Sequence, residues 1–128
     1  LVTGIAGKSD NIRIVGIIDR YLEHARIFQF CAAGEDKMFI GSADWMPRNL
    51  NSRIEVVAPV YDPAIKDDLK QVIDYALRDN QQGRIVDGTG RNLPWHTGDE
   101  AAPFRSQEAL YEHYRDMEAE EAAQETKE

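Results

Sequence analysis

Apolar residues recur along this chain at two spacings, one typical of helices and one typical of strands. The clearest helical stripe follows Asp62-Pro63, where the proline takes the first helical position, which tolerates it. Its apolar residues lie three or four positions apart, as one buried helix face requires, at Ile65, Leu69, Val72, Ile73, Ala76 and Leu77. The same spacing predicts a helix over residues 10–24, capped by Asp10 or Asn11, and a last helix over residues 106–119.

Shorter apolar runs between these helices predict a β-hairpin. Residues 26–30 and 37–40 are rich in β-branched and aromatic residues and are separated by a turn-forming link. The following segment, Gly41 to Ser52, contains Pro47 among small polar residues and predicts a loop or a short irregular turn. We expect Trp45 and Met46 to pack this loop onto the core.

Two further strands complete the predicted fold. Residues 54–60 are β-branched on both faces, as in an interior strand that is covered on two sides. Residues 83–86 predict an edge strand, and residues 87–103 predict a surface loop. Strands alternating with helices indicate an α/β fold, a mixed sheet flanked by helices.

The length and charge of the chain limit what it can be. Its 128 residues, 42% of them hydrophobic, predict one globular unit over residues 1–119, followed by an acidic, disordered tail over residues 120–128. The net charge is -8, but the last 21 residues carry -6 of it, so the remainder is nearly neutral and a polyanionic ligand is not excluded. The start at Leu1 rather than Met suggests a piece of a longer polypeptide.

Cellular location and redox state follow from what the sequence lacks. No apolar run reaches the roughly 18 residues of a transmembrane span, and no leader precedes the first predicted element. The single cysteine, Cys31, cannot form an internal disulfide, and no Cys/His spacing resembles a zinc site. The sequence therefore predicts a soluble, cytoplasmic chain without a metal site of its own.

The candidate chemistry concentrates around His24. It is followed by Arg26 and, after the predicted hairpin, by the Gly41-Ser42 turn. A histidine titrates near neutral pH, with a pKa of about 6.5, and an arginine holds phosphate oxygens in a two-pronged geometry. The group is a candidate phosphate site, with Arg53 as a second cation. The alternatives are a histidine interacting with a helix end, an Arg26 that is solvated or paired with an acid, an Arg53 paired with Asp44 or Glu55, and a serine that caps a turn. Asp44 is expected to orient Arg48, Arg53 or a backbone amide.

Several motifs in a fixed order carry a family resemblance. Residues 7–77 resemble the C-terminal catalytic domain of polyphosphate kinase, the type that synthesises long chains. The matching residues are Asn11-Ile12-Arg13, Asp19-Arg20-Tyr21-Leu22-Glu23-His24-Ala25-Arg26, Ser42-Ala43-Asp44-Trp45-Met46, Arg48-Asn49-Leu50 and Arg53-Ile54-Glu55-Val56.

This resemblance implies a phospholipase D-like fold, in which two related domains place one histidine each at a shared site. The superfamily pattern is His-x-Lys, then Asp, then Gly-Ser-x-Asn. This chain has Arg26 in the place of the lysine, Cys31 in that of the Asp and Asp44 in that of the Asn. These departures favour the kinase branch over a phosphodiesterase.

The resemblance further implies the reaction and the partners. The terminal phosphate of ATP would pass to polyphosphate through a phosphohistidine in an upstream domain that this chain lacks, and the fragment alone would be inactive. His24 would match the second family histidine, a catalytic residue at the nucleotide phosphates, with Arg26, Arg53 and Ser42 as further phosphate contacts. Mg²⁺ would be bound mainly by the missing domains.

The implied partners are ATP or ADP, polyphosphate and the upstream domains of the same enzyme, with no nucleic acid and no transmembrane segment. The full-length enzyme is expected to be a homo-oligomer in the cytoplasm or at the periphery of the inner membrane. Two alternatives stay open: a phospholipase D-like phosphodiesterase half-site and a non-catalytic module that binds nucleotides or polyanions.

Overall fold

The computed structural model describes residues 2–96 and 102–125. In chain order its elements are β1 (Val15–Ile17), β2 (Ile27–Phe30), β3 (Lys37–Gly41), α1 (Pro47–Ser52), β4 (Val57–Val60), α2 (Pro63–Arg78), β5 (Gly83–Ile85) and α3 (Ser106–Glu125). They form two compact units. We call Leu22–Ile73 the central unit, and Leu1–Tyr21 with Asp74–Glu128 the terminal unit.

The central unit is built on a three-stranded antiparallel sheet in the order β2-β3-β4. The predicted hairpin is confirmed, with Ile27 opposite Ile40 and Phe30 opposite Lys37. Met38 on β3 is the only apolar side chain among the described residues that is more than nine-tenths buried.

The strand predicted to lie in a sheet interior has a different position. It forms β4, which pairs with β3 alone among the described strands, through Met38 opposite Val60 and Gly41 opposite Val57. The prediction of an interior strand was wrong, because β-branched residues report strand conformation and not the number of neighbours. Ile54 and Val56, which precede β4, are exposed.

The helices of the central unit begin at prolines. The segment 41–52, predicted as a loop, contains the short helix α1, with Pro47 at its first turn. Helix α2 is confirmed, and Asp62 caps it because Oδ1 of Asp62 accepts hydrogen bonds from the backbone N–H groups of Ala64 (2.8 Å) and Ile65 (3.2 Å). The predicted packing of Trp45 was wrong, since its side chain is 80% exposed, and Met46 is also exposed.

The terminal unit corrects the prediction of a helix over residues 10–24. This segment instead contains β1, which pairs antiparallel with β5 through Val15 opposite Ile85 and Ile17 opposite Gly83. The apolar residues had the helical spacing, but residues 12–18 contain a glycine at position 16 and five β-branched residues, which favour strands. The described strands therefore form two antiparallel sheets rather than one mixed sheet.

A buried carboxylate joins three elements of the terminal unit. The side chain of Asp79, directly after α2, is fully buried. Its Oδ1 accepts hydrogen bonds from the backbone N–H groups of Gln81 (2.9 Å), Gln82 (2.6 Å) and Gly83 (3.2 Å). Its Oδ2 accepts from the backbone N–H (2.8 Å) and the hydroxyl (2.7 Å) of Ser106. Asp79 thus fixes the turn into β5 and caps the start of α3.

Two more side chains attach the first turn of α3. The amide of Gln107 pairs with the main chain of Tyr21, accepting from its N–H (3.0 Å) and donating to its carbonyl (2.7 Å). The guanidinium of Arg105 forms an ion pair with Asp19. The helix predicted to end at residue 119 runs to Glu125, and the division between a domain over residues 1–119 and a tail stays a prediction.

The remaining predictions for the terminal unit concern its loop and strand edge. The strand predicted over residues 83–86 is confirmed as β5. Residues 87–96 form a loop, apart from a single bridge between Arg84 and Pro94, and residues 97–101 of the predicted loop lie outside the described residues. No helix in the described part of the chain is both long and apolar enough to span a membrane.

Candidate functional site

The pairing of the central sheet brings the predicted site residues to one of its ends. His24 precedes β2, Ser42 follows β3, and Arg53 precedes β4. Because neighbouring strands are antiparallel, these three positions fall at the same end of the sheet. Backbone hydrogen bonds fix the alignment: the N–H of Gly41 donates to the carbonyl of Arg26 (2.9 Å), and the N–H of Ser42 donates to that of Val56 (3.0 Å). We call this end of the central sheet the Gly41 end.

His24 is exposed at the Gly41 end. Its side chain makes no hydrogen bond within the part of the chain that the structure describes, although its charge acts on Asp44. Its carbonyl accepts a hydrogen bond from Nη1 of Arg26 (3.0 Å). The imidazole is therefore accessible to a ligand, while its backbone is held.

Arg26 and Asp44 form an ion pair at the Gly41 end, with 2.8 Å between Nε of Arg26 and Oδ1 of Asp44. The pair raises the pKa of Arg26 and lowers that of Asp44, in both cases chiefly through this hydrogen bond. The sequence predicted that Asp44 orients Arg48, Arg53 or a backbone amide. Its partner is instead Arg26, and Arg48 and His24 act on Asp44 only through their charges.

A second carboxylate, Glu55, is held by two neutral donors. The hydroxyl of Ser42 donates to its Oε2, and Nδ2 of Asn49 donates to its Oε1 (2.7 Å). These bonds, that of Ser42 first, lower the pKa of Glu55. The Ser42 oxygen also accepts from the backbone N–H of Val56 (3.1 Å). Ser42 therefore fastens the loop after β3 to the start of β4.

Arg53 differs from Arg26 in having no direct partner. Its side chain is exposed and makes no hydrogen bond or ion pair with any residue that the structure describes. Its charge nevertheless contributes to the lowered pKa of Glu55, as does that of Arg26. Two arginines therefore lie within electrostatic range of one fixed carboxylate, and one of them is free to bind a ligand.

The sequence reasoning missed the roles of Asn49 and Glu55. Asn49 is buried, and its Oδ1 is a buried acceptor without a hydrogen-bond partner. Both residues stood in the family motif, but nothing in their spacing indicated that Glu55 would accept hydrogen bonds from both Asn49 and Ser42. Cys31, in the place of the superfamily Asp, is an exposed free thiol.

The carboxylates near His24 do not form a metal site by themselves. Asp44 is paired with Arg26, and Glu55 accepts from Ser42 and Asn49. Within residues 2–96 and 102–125 there is no cluster of three or more His, Cys, Asp or Glu side chains that could hold an ion. These two carboxylates are therefore engaged by protein partners, and the described residues form no protein-only site for Mg²⁺.

An exposed histidine, two arginines and a Gly-Ser turn thus lie at one end of the antiparallel central sheet of an α/β chain. The family model described as polyphosphate kinase C-terminal domain 2 matches residues 1–107. The chain belongs to this family, and the resemblance predicted from its motifs is confirmed.

Individual relatives agree with this assignment. A polyphosphate kinase of Rhodopirellula baltica is 44% identical over 108 residues, which are 84% of this chain and 13% of that protein. A polyphosphate kinase of Escherichia coli K12 is 38% identical over 118 residues, 92% of this chain and 17% of that protein. The crystal structure of polyphosphate kinase from Porphyromonas gingivalis matches with a TM-score of 0.79 and 40% identity, covering 87% of this chain and 17% of that chain.

These matches have two consequences. The predicted α/β, phospholipase D-like fold class is confirmed by the structural match. The chain spans less than a fifth of the length of these relatives. Most of the length of these relatives therefore has no counterpart in the 128 residues of this chain.

Proposed function

We propose that this chain supplies one half of a divided phosphoryl-transfer site in a polyphosphate kinase. In this proposal the upstream part of the enzyme carries a histidine that attacks the terminal phosphate of ATP. A nitrogen–phosphorus bond forms as the phosphorus–oxygen bond to ADP breaks, and the phosphate then passes to the terminal oxygen of a polyphosphate chain, which regenerates the histidine.

The observation that carries the proposal is that His24, which is accessible, and Arg53, which has no partner among the described residues, lie at the same end of the central sheet. An imidazole donates or accepts a proton near neutral pH, so His24 would serve the bridging oxygen that leaves as ADP or attacks from polyphosphate. Phosphoryl transfer otherwise requires positioning and positive charge. Arg53 would supply that charge, because its guanidinium is free to hold two phosphate oxygens.

The two other predicted phosphate contacts are already engaged. Ser42 uses its only hydroxyl proton on Glu55, and Arg26 is paired with Asp44. We therefore propose that Ser42 contributes to the site through the shape of the Gly41 turn. Mg²⁺, when bound with the nucleotide, would neutralise phosphate charge, and its ligands would come from upstream domains because the carboxylates near His24 have other partners.

The exposed apolar surface of the chain supports a contact with the rest of the enzyme. In the central unit, Ile54 is completely exposed and Leu22 is 83% exposed, and Trp45 is similarly accessible. Three large apolar side chains left exposed in one unit are what a surface covered by another protein segment would show. Ile54 is the neighbour of Arg53, so an upstream domain that covered this surface would also reach the Gly41 end.

The test is polyphosphate synthesis from ATP by the full-length enzyme, with and without His24→Ala. We expect kcat to fall by about 100-fold or more, the usual contribution of a positioned acid or base. His96→Ala is the matched control, because this exposed histidine lies in the terminal unit and contacts the carbonyl of Leu77 (2.9 Å). It is expected to retain kcat within about twofold.

Three outcomes would contradict the proposal. An unchanged kcat in His24→Ala would remove this histidine from the mechanism. Polyphosphate synthesis by the purified 128-residue chain would remove the need for an upstream histidine. Hydrolysis of a model phosphodiester by this chain, lost in His24→Ala, would favour a phosphodiesterase, and salt-sensitive polyanion binding without any catalytic role for His24 would favour a binding module.

A further inference from the structure

We infer that Arg26 is a positioning residue for His24 and not a phosphate ligand. This inference rests on the proposed function, since it concerns the same site. It assigns the arginine in the His-x-Arg motif a role different from the one that the motif suggests. The contacts that its guanidinium already makes support this role.

The guanidinium of Arg26 bridges two segments of the central unit. Nε donates to Oδ1 of Asp44 (2.8 Å), in the loop after β3, and Nη1 donates to the carbonyl of His24 (3.0 Å), before β2. One planar group thus connects the backbone of His24 to Asp44 in the loop that follows β3. A lysine has a single ammonium on a flexible stem and cannot reproduce this two-directional fork.

The electrostatics of the ion pair argue against phosphate binding by Arg26. Its positive charge is balanced by Asp44, and the side chain is three-quarters buried. A phosphate that bound to it would displace or approach the Asp44 carboxylate, whose lowered pKa keeps it ionised near neutral pH. Arg53 has no carboxylate in direct contact within the part of the chain that the structure describes, and it is the better phosphate ligand.

Holding the backbone of His24 has a specific consequence for the reaction. Residues 22–26, which lead into β2, belong to no helix or strand. The Arg26 contact restricts this segment where the imidazole is attached. Small misplacements of a catalytic group reduce turnover strongly while substrate contacts elsewhere remain intact.

The experiment is a double-mutant cycle in the full-length enzyme with Arg26→Lys, Asp44→Asn and both changes together. If Arg26 positions His24, each single variant lowers kcat about tenfold or more with the KM for ATP within about twofold. The double variant is then no worse than the poorer single variant, because both break one interaction. Arg53→Gln, in contrast, is expected to raise the KM for ATP.

Asp36→Asn is the matched control. It breaks the ion pair between Asp36 and Lys70 (3.0 Å), whose side chains are 36% and 38% exposed, close to the exposure of the Arg26 pair. Asp36 precedes β3 and so lies at the other end of the sheet. We expect the Asp36→Asn variant to retain kcat. This control separates the effect of losing any surface ion pair from the effect of losing the Arg26 contact that holds His24.

Each result decides the inference. A raised KM in Arg26→Lys with unchanged kcat, additive effects in the double variant, or full activity in Arg26→Lys would overturn it. If Arg26→Lys yields no folded enzyme, Asp44→Asn decides alone, because unchanged kcat in that variant refutes positioning. His24→Ala separates the two proposals. Full activity of this variant would refute the proposed function. If His24→Ala is inactive and Arg26→Lys changes only the KM for ATP, the proposed function stands and only the positioning role of Arg26 is refuted.

Discussion

Asp79→Asn changes one side-chain group at the buried junction of the terminal unit and is expected to lower its stability strongly. It replaces one carboxylate oxygen by an NH₂ group at a fully buried position. The remaining oxygen can keep the three donors of Gln81, Gln82 and Gly83, but the new NH₂ group then faces the backbone N–H of Ser106, which was bonded at 2.8 Å. Two donors cannot satisfy each other.

The size of the effect follows from these contacts. A buried N–H group without an acceptor costs about 1 to 3 kcal/mol, and each hydrogen bond that loses a charged acceptor weakens by about 1 kcal/mol. Because Gln81 is exposed and its N–H regains water, we discount its share. The expected loss in the free energy of unfolding is about 3 to 4 kcal/mol, a large part of the 5 to 15 kcal/mol that stabilises a typical domain.

The assay is urea unfolding of the 128-residue chain, followed by circular dichroism, for three proteins. The control, Asp74→Asn, makes the same chemical change five residues earlier, where the carboxylate forms an exposed helical ion pair with Arg78 (3.0 Å). We expect the control to change the free energy of unfolding by no more than about 0.5 kcal/mol. Equal effects of the two substitutions would refute the assignment of Asp79 as the buried junction of the terminal unit.

Two further predictions concern the same unit. Gly83→Ala should lower the free energy of unfolding by about 1 to 3 kcal/mol in the urea assay. The reason is that a Cβ at this buried position would clash with the backbone oxygen of Asp79. A variant as stable as the wild type would show that the turn relaxes freely. The pKa of Asp87 is lowered from 3.8 to about 2, first by the hydroxyl of Thr89. Because the pKa of Asp87 is lower in the folded than in the unfolded chain, its ionised carboxylate stabilises the folded state. This stabilisation is fully present above about pH 4 and is lost as the pH falls through about 2. A carboxyl NMR titration should show the pKa of Asp87 rising in Thr89→Ala, and an unchanged value would contradict the hydroxyl's role.

Local signals in the sequence predicted the elements that depend on local interactions. Helix α2 combines a capping Asp62, a proline at the first position and a regular apolar stripe, and the structure confirms it. The hairpin of β2 and β3 is also confirmed, because two short strands joined by a tight link have few other ways to pair. In both cases the residues that determine the element lie within it or beside it.

The errors arose where a distant segment decides the structure. Residues 10–24 have apolar residues at helical spacing, yet Gly83–Ile85 supplies a strand partner for Val15–Ile17 that no local pattern reports. The number of neighbours around β4 was misjudged for the same reason. At the site, the family motif identified the right residues, but the pairing of Arg26 with Asp44 depends on strand register, which spacing alone does not give.

The attachment of α3 has a consequence for how this end of the protein can vary. Its polar anchors, Arg105, Ser106 and Gln107, lie at the start of the helix, where the match to the family model also ends. Its last aromatic contact with α2 is that of His113 with Tyr75 (5.9 Å between ring centroids), and residues 115–124 are all exposed. Mutations in those ten positions therefore encounter little packing constraint. Natural variants should drift there in sequence while preserving helix-forming, water-soluble composition, and this stretch offers a place to attach probes without disturbing the polar anchors of α3.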